Sequence, residues 1–146
     1  MGGWALAVHV VGVSFMCGLG WFVHVVHYPL FTFATGPRWT EFHAEHSRRT
    51  GWVVGVPWAM QGLGAFALLV WRPAGVAIGL VLVAVLLAGI TVVATVLVAL
   101  PAHARLAQGF EATVHRRLLL GDRVRTLAWT AGTLVALVMV VEASAT

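Results

Sequence analysis

Residues 75–100 read GVAIGLVLVAVLLAGITVVATVLVAL, without one charged side chain. About 20 apolar residues in helical form cross the hydrocarbon core of a bilayer, and runs of that length are not needed to build a soluble core. Working outward, three more segments meet or approach this standard: residues 4–26, 52–71 and 126–141. None of the four contains Asp, Glu or Arg. In lipid, a helix satisfies its own backbone polar groups, so the expected fold is all-α, an integral membrane four-helix bundle forming a single transmembrane domain over residues 1–146. Helix one is expected to stop at Tyr28-Pro29, because the residue before proline disfavours helical angles. Arg72-Pro73 closes helix two and Pro101 closes helix three. The fourth span is the shortest and is expected to begin inside the basic segment before it.

Composition agrees. The chain of 146 residues is 60% hydrophobic and 10% charged, against about 25% charged residues in soluble domains. The net charge of +4 comes from Arg alone among the basic residues, since the sequence has no Lys. These arginines sit in connections, so they report orientation and imply no nucleic-acid partner. Arg38, Arg48, Arg49, Arg105, Arg116, Arg117, Arg123 and Arg125 fall in the two long connections, residues 27–51 and 102–125, while Arg72 alone lies on the opposite face. By the positive-inside rule the long connections are cytoplasmic and both termini extracytoplasmic, in a multi-pass protein of the cell membrane. The N-terminus has no basic leader region, so the first apolar stretch reads as a retained helix. Trp4 and Trp71 are expected at the outer interface, and Trp21, Trp52 and Trp129 at the inner one. Gly79, Ala84, Ala88 and Gly89 are the expected close-packing residues of helix three. Cys17 is the only cysteine, which excludes an intrachain disulfide.

Short amphipathic interfacial helices are expected in both long connections. Residues 38–50, RWTEFHAEHSRRT, follow Gly36-Pro37. At about 100° per residue, Trp39, Phe42, His43 and His46 share one face, with Glu41, Glu45 and the arginines on the other. Glu41 and Glu45 therefore read as a solvated face, with Glu45 paired to Arg49. Six of the seven histidines, His24, His27, His43, His46, His103 and His115, lie on the arginine-rich side. Four separate segments thus bring imidazoles to one depth. Any single histidine reads most simply as a hydrogen-bonding interfacial residue; the convergence reads as a metal site. The expected ligands are His27, His43, His46, His103 and His115, with His24 at its edge and Glu111 as a further ligand or as the acceptor that orients His115. His9, about 22 Å from His24 by helical rise, reads as packing. Gln61 reads as a bond to a neighbouring helix, and Cys17 and Met16 as core fillers.

The string HYPLF at 27–31 with FHAEH at 42–46, together with GF at 109–110, HRRL at 115–118 and RTLAW at 125–129, resembles a group of small bacterial four-helix membrane proteins over nearly the whole chain. More loosely, the layout is similar to the anthrone-oxygenase-like membrane family. That second resemblance implies oxygen insertion into a lipophilic substrate without an organic cofactor, and it transfers no catalytic residue to this sequence.

Three functional classes follow. The first is a membrane oxidoreductase on a lipophilic small molecule, with copper, non-haem iron or zinc held by histidine. The runner-up is a metal-ion or small-molecule transporter or channel; its spans offer only His9, Gln61, Cys17 and scattered hydroxyls, so a path would require a homo-oligomer. The third is a haem protein with His24 and His103 as axial ligands, which leaves the other histidines unexplained.

Overall fold

The computed structural model describes residues 2–145, which are helical almost throughout, with no strand among the described residues. Helix α1 (Gly2–Phe22) runs into a π-turn (Val23–His27) and a 3-10 turn (Pro29–Phe33). Helix α2 (Trp39–Val70) is one continuous rod. Helix α3 (Ile78–Ala94) passes through a second π-turn (Thr95–Ala99) into α4 (Leu100–Leu106), and α5 (Ala112–Ser144) completes the chain. The resulting four rods are each long and apolar enough to cross a membrane. α1 packs on α2 and α5, and α3 packs on the same two, which sets the order α1, α2, α3, α5 around the bundle. Its outward surface carries Phe15, Leu63, Phe66, Leu82, Leu86 and Leu134, while His9, Gln61, Thr91 and Thr126 are buried. So extensive an exposed apolar surface is a membrane-facing one.

Several sequence expectations are corrected here. The helices do not stop at Pro29 and Pro101. At each, a π-turn comes first, closed by Tyr28 N–H to the Val23 carbonyl and by Leu100 N–H to that of Thr95. The proline then occupies the first turn of the next segment, where its missing N–H costs nothing. Residues 38–50 are not a separate interfacial helix but the first turns of α2. The face assignment holds for Trp39, His43 and His46, which are buried, but Phe42 is exposed at the edge of that face; Glu45 takes Arg48 at 2.7 Å and Arg49 at 2.6 Å on the exposed side. Trp129 is buried and not part of an interfacial belt, whereas Trp4, Trp21, Trp52 and Trp71 are exposed.

Close helix packing also uses different glycines from those expected. A Cβ on Gly79 or Gly89 would touch nothing within 4 Å, but one on Gly12 would fall 2.5 Å from the Gln61 nitrogen and one on Gly64 2.8 Å from the His9 backbone. α1 and α2 thus meet backbone to backbone, which brings His9 Nδ1 to donate to the Gln61 carbonyl at 2.9 Å. Gly64→Val should therefore destabilise the bundle by about 1–3 kcal/mol through overpacking, while Gly79→Val should leave it near wild type. Unfolding in mixed micelles measures the difference, and equal behaviour of the two variants would refute the close crossing.

Candidate functional site

The arginine-rich end has its own small core. Phe31, from the 3-10 turn, is fully buried among Tyr28, Trp39, Leu106, Val114 and Leu118. Trp39 Nε1 donates to the Leu106 carbonyl at 2.6 Å and so ties the start of α2 to the end of α4. His115 Nε2 donates to the Tyr28 carbonyl at 2.8 Å, tying α5 to the turn after α1. These ties hold the elements that carry the imidazoles.

Four histidines come together on that frame. His27 leaves the first π-turn, His43 and His46 stand one turn apart on α2, and His103 lies on α4. His27 Nε2 is 2.8 Å from His46 Nδ1, and His43 Nε2 is 3.1 Å from His103 Nδ1. The pairs adjoin: the His46 and His103 rings are 5.6 Å apart between centroids, and His43 and His46 6.0 Å. The Tyr28 hydroxyl is 3.0 Å from His103 Nε2, and the Thr50 hydroxyl 3.2 Å from His46 Nδ1. Phe31 meets the His46 ring edge-on at 4.9 Å. His43 Nδ1 is buried without a partner. Among the described residues no group of three or more His, Cys, Asp or Glu side chains is placed to hold a metal ion; the imidazoles stand as two close pairs.

The remaining expected site residues are placed otherwise. His115 turns its Nε2 to the Tyr28 carbonyl and stacks on Phe31 at 6.0 Å. Glu111 does not orient His115. Its exposed carboxylate accepts from the Thr113 hydroxyl and from Arg105 at 2.9 Å, and these contacts, the Thr113 bond foremost, hold its carboxyl below the usual range. His24 Nδ1 is 3.2 Å from Asp122 Oδ2 and so belongs to a different group.

That group borders a cavity of about 290 Å³ within the bundle, beside the histidines. His46, His103 and Tyr28 line one side, Asp122 and Arg125 another, and Met16, Leu19, Val54, Trp58, Leu100 and Trp129 supply apolar walls. Asp122 is 1% exposed and accepts from Arg125 at 2.8 Å. A cavity of this composition, mostly apolar with a few converging polar groups, suits a lipophilic small molecule. Read from sequence, Arg125 is one of the connection arginines and Tyr28 a helix stop, and Asp122 is not singled out. The signal was there: His115, Leu118, Asp122, Arg125 and Trp129 recur at three- and four-residue spacing, which marks one helix face.

Several polar groups within the spans pair with one another, while His9 Nε2 and Thr126 Oγ1 are buried without a hydrogen-bond partner among the described residues. Gln61 Oε1 accepts from Trp129 at 2.5 Å, its amide nitrogen approaches Thr91 at 3.5 Å, and Cys17 Sγ lies 3.6 Å from the Thr130 hydroxyl. The chain matches no protein-family model, no curated protein and no solved structure.

Proposed function

We propose that this is a membrane metalloprotein of oxidoreductase type, in which His27, His43, His46 and His103 hold a copper, non-haem iron or zinc ion beside a cavity for a lipophilic small molecule. One observation carries the reading: two imidazole pairs, with nitrogens 2.8 and 3.1 Å apart, adjoin at the wall of a mostly apolar cavity. Two nitrogens bound at about 2.0–2.1 Å to one ion stand about 2.9–3.4 Å apart by trigonometry. The 3.1 Å pair falls in that range and the 2.8 Å pair just below it; both spacings also serve an N–H···N hydrogen bond, so ion binding would spread the His27–His46 pair slightly.

An all-imidazole donor set suits copper, iron or zinc, and such an ion supplies redox or Lewis-acid chemistry. The protein's own groups do the rest. The Tyr28 hydroxyl engages Nε2 of His103 and leaves Nδ1 facing His43, the outer-sphere device by which proteins fix a ligand ring. Apolar walls keep water from the cavity, and the Asp122–Arg125 pair gives a bound molecule a polar end. Metal analysis of tag-free protein taken from membranes, with a visible spectrum, tests the reading. We expect close to one ion per chain and no haem absorption; metal-free protein, or a haem spectrum, would overturn it.

The orientation belongs to the same proposal. With the arginines inside, the site faces the cytoplasm and both termini face out. In a Cys17→Ser background, an impermeant thiol reagent on intact cells should label Pro73→Cys and spare Arg48→Cys. The opposite pattern reverses the topology.

A further inference from the structure

On the outside of the bundle, between the α3–α4 rod and α5, runs a groove of about 520 Å³ that the site above does not use. Leu97, Val98, Leu120 and Val124 line its deep part, and Leu97 and Leu120 are among the most exposed apolar side chains of the chain. At Gly121 the two rods touch along the groove floor: a Cβ there would fall 2.6 Å from Val98 Cγ1. Toward the arginine-rich end the groove finishes between Arg105 on α4 and Arg117 on α5. Arg105 lies in the last turn of α4 and Arg117 in the second turn of α5, both near the connection, while Leu97, Val98, Leu120 and Val124 lie further along the candidate spans.

The charge at this mouth is positive. Arg105 pairs with Glu111 at 2.9 Å, and that carboxylate also feels Arg117, so one negative group faces two positive ones. The Arg117 guanidinium makes no hydrogen bond among the described residues, whereas Arg125 is spent on Asp122. Arginine forks match phosphate oxygens in geometry and charge. Basic mouths above apolar grooves between membrane helices are where acidic lipid headgroups lodge.

We infer that this groove binds an anionic phospholipid, its phosphate between Arg105 and Arg117 and an acyl chain along Leu97, Val98, Leu120 and Val124. A bilayer supplies such a lipid at the required depth, with both parts of the ligand in the order in which the groove presents them. The site is independent of the histidines and of any metal.

The test uses the full chain in a neutral detergent and follows thermal unfolding. Phosphatidylglycerol should raise the midpoint by about 3 °C or more, as a ligand of the folded state does, and phosphatidylcholine should not. Arg105→Gln/Arg117→Gln should lose that shift, while Arg116→Gln/Arg123→Gln, which removes the same charge from outside the groove, should keep it. Each variant's lipid-free midpoint reports whether it folds, and Arg105→Lys/Arg117→Lys should recover part of the shift if the glutamine pair does not fold. Equal shifts with phosphatidylcholine, equal loss in both glutamine pairs, or full stabilisation by glycerol phosphate alone would each overturn the site.

Discussion

Replacing His43 or His103 with alanine should strip the protein of most of its bound metal while the bundle still inserts. Each ring contributes one nitrogen to a close pair, so its loss removes a donor and leaves the partner ring facing a void. Removing an outer hydrogen-bond partner of a ligand typically weakens metal binding 10–100-fold. Loss of a ligand itself should exceed that, to roughly 100-fold or more, and Tyr28→Phe should fall within the smaller range. Insertion survives because the four apolar rods drive it. Two controls separate ligation from general disturbance. His115→Gln should keep the metal, because His115 Nε2 is engaged on the Tyr28 carbonyl. His9→Ala should keep it as well, since that ring packs against α2 at Gln61. Metal stoichiometry and helical circular dichroism on the same samples decide the matter. If His9→Ala loses as much metal as His43→Ala, the histidine centre is not where the metal binds.

Asp122→Ala should destabilise the bundle more than Gly64→Val does. Asp122 is buried and accepts from Arg125 on one oxygen and faces His24 on the other. Arg125 would be left at the cavity wall with the Thr95 hydroxyl at 3.4 Å and the Tyr28 hydroxyl as its remaining side-chain partners. A buried pair broken on one side costs about 3–5 kcal/mol, because the surviving charge keeps its desolvation cost without its partner. The same physics says that Asp122→Ala/Arg125→Leu should recover much of the loss. Reversible unfolding in micelles measures both variants. A single-variant cost below about 1 kcal/mol, or a double variant worse than either single one, would show that the pair is not a desolvated ion pair.

The spans were legible because lipid exposure demands long apolar runs, and nothing else in 75–100 competes with that demand. The face carrying His43 and His46 was legible for a related reason: residues 38–50 are amphipathic, and amphipathicity fixes rotation about the helix axis. Helix ends were not. Pro29 and Pro101 read as stops under local rules, and only the π-turns before them, which have no sequence signature, let the helices continue. The convergence of His27, His43, His46 and His103 followed from topology, but the diversion of His115 and His24 did not. Their partners, the Tyr28 carbonyl and Asp122, lie far away along the chain, and one of them is a backbone atom that no residue pattern announces. Glu111 was misjudged because a carboxylate four residues before a histidine resembles a support, whereas Arg105 and Thr113 were nearer.

The two π-turns give the histidine centre a dependence on residue count. Each lodges an extra residue in a helix that is otherwise regular, which advances everything downstream by about 100° around the axis. His27 closes the turn at Val23–His27 and Tyr28 follows it, and His103 follows the one at Thr95–Ala99. A homologue shortened by one residue at either place could keep every apolar run, every arginine and every histidine, and would still swing one of those rings out of phase with its partners. Among chains of this design, the frame set by single-residue insertions and deletions would then distinguish those that gather four imidazoles from those that only contain them.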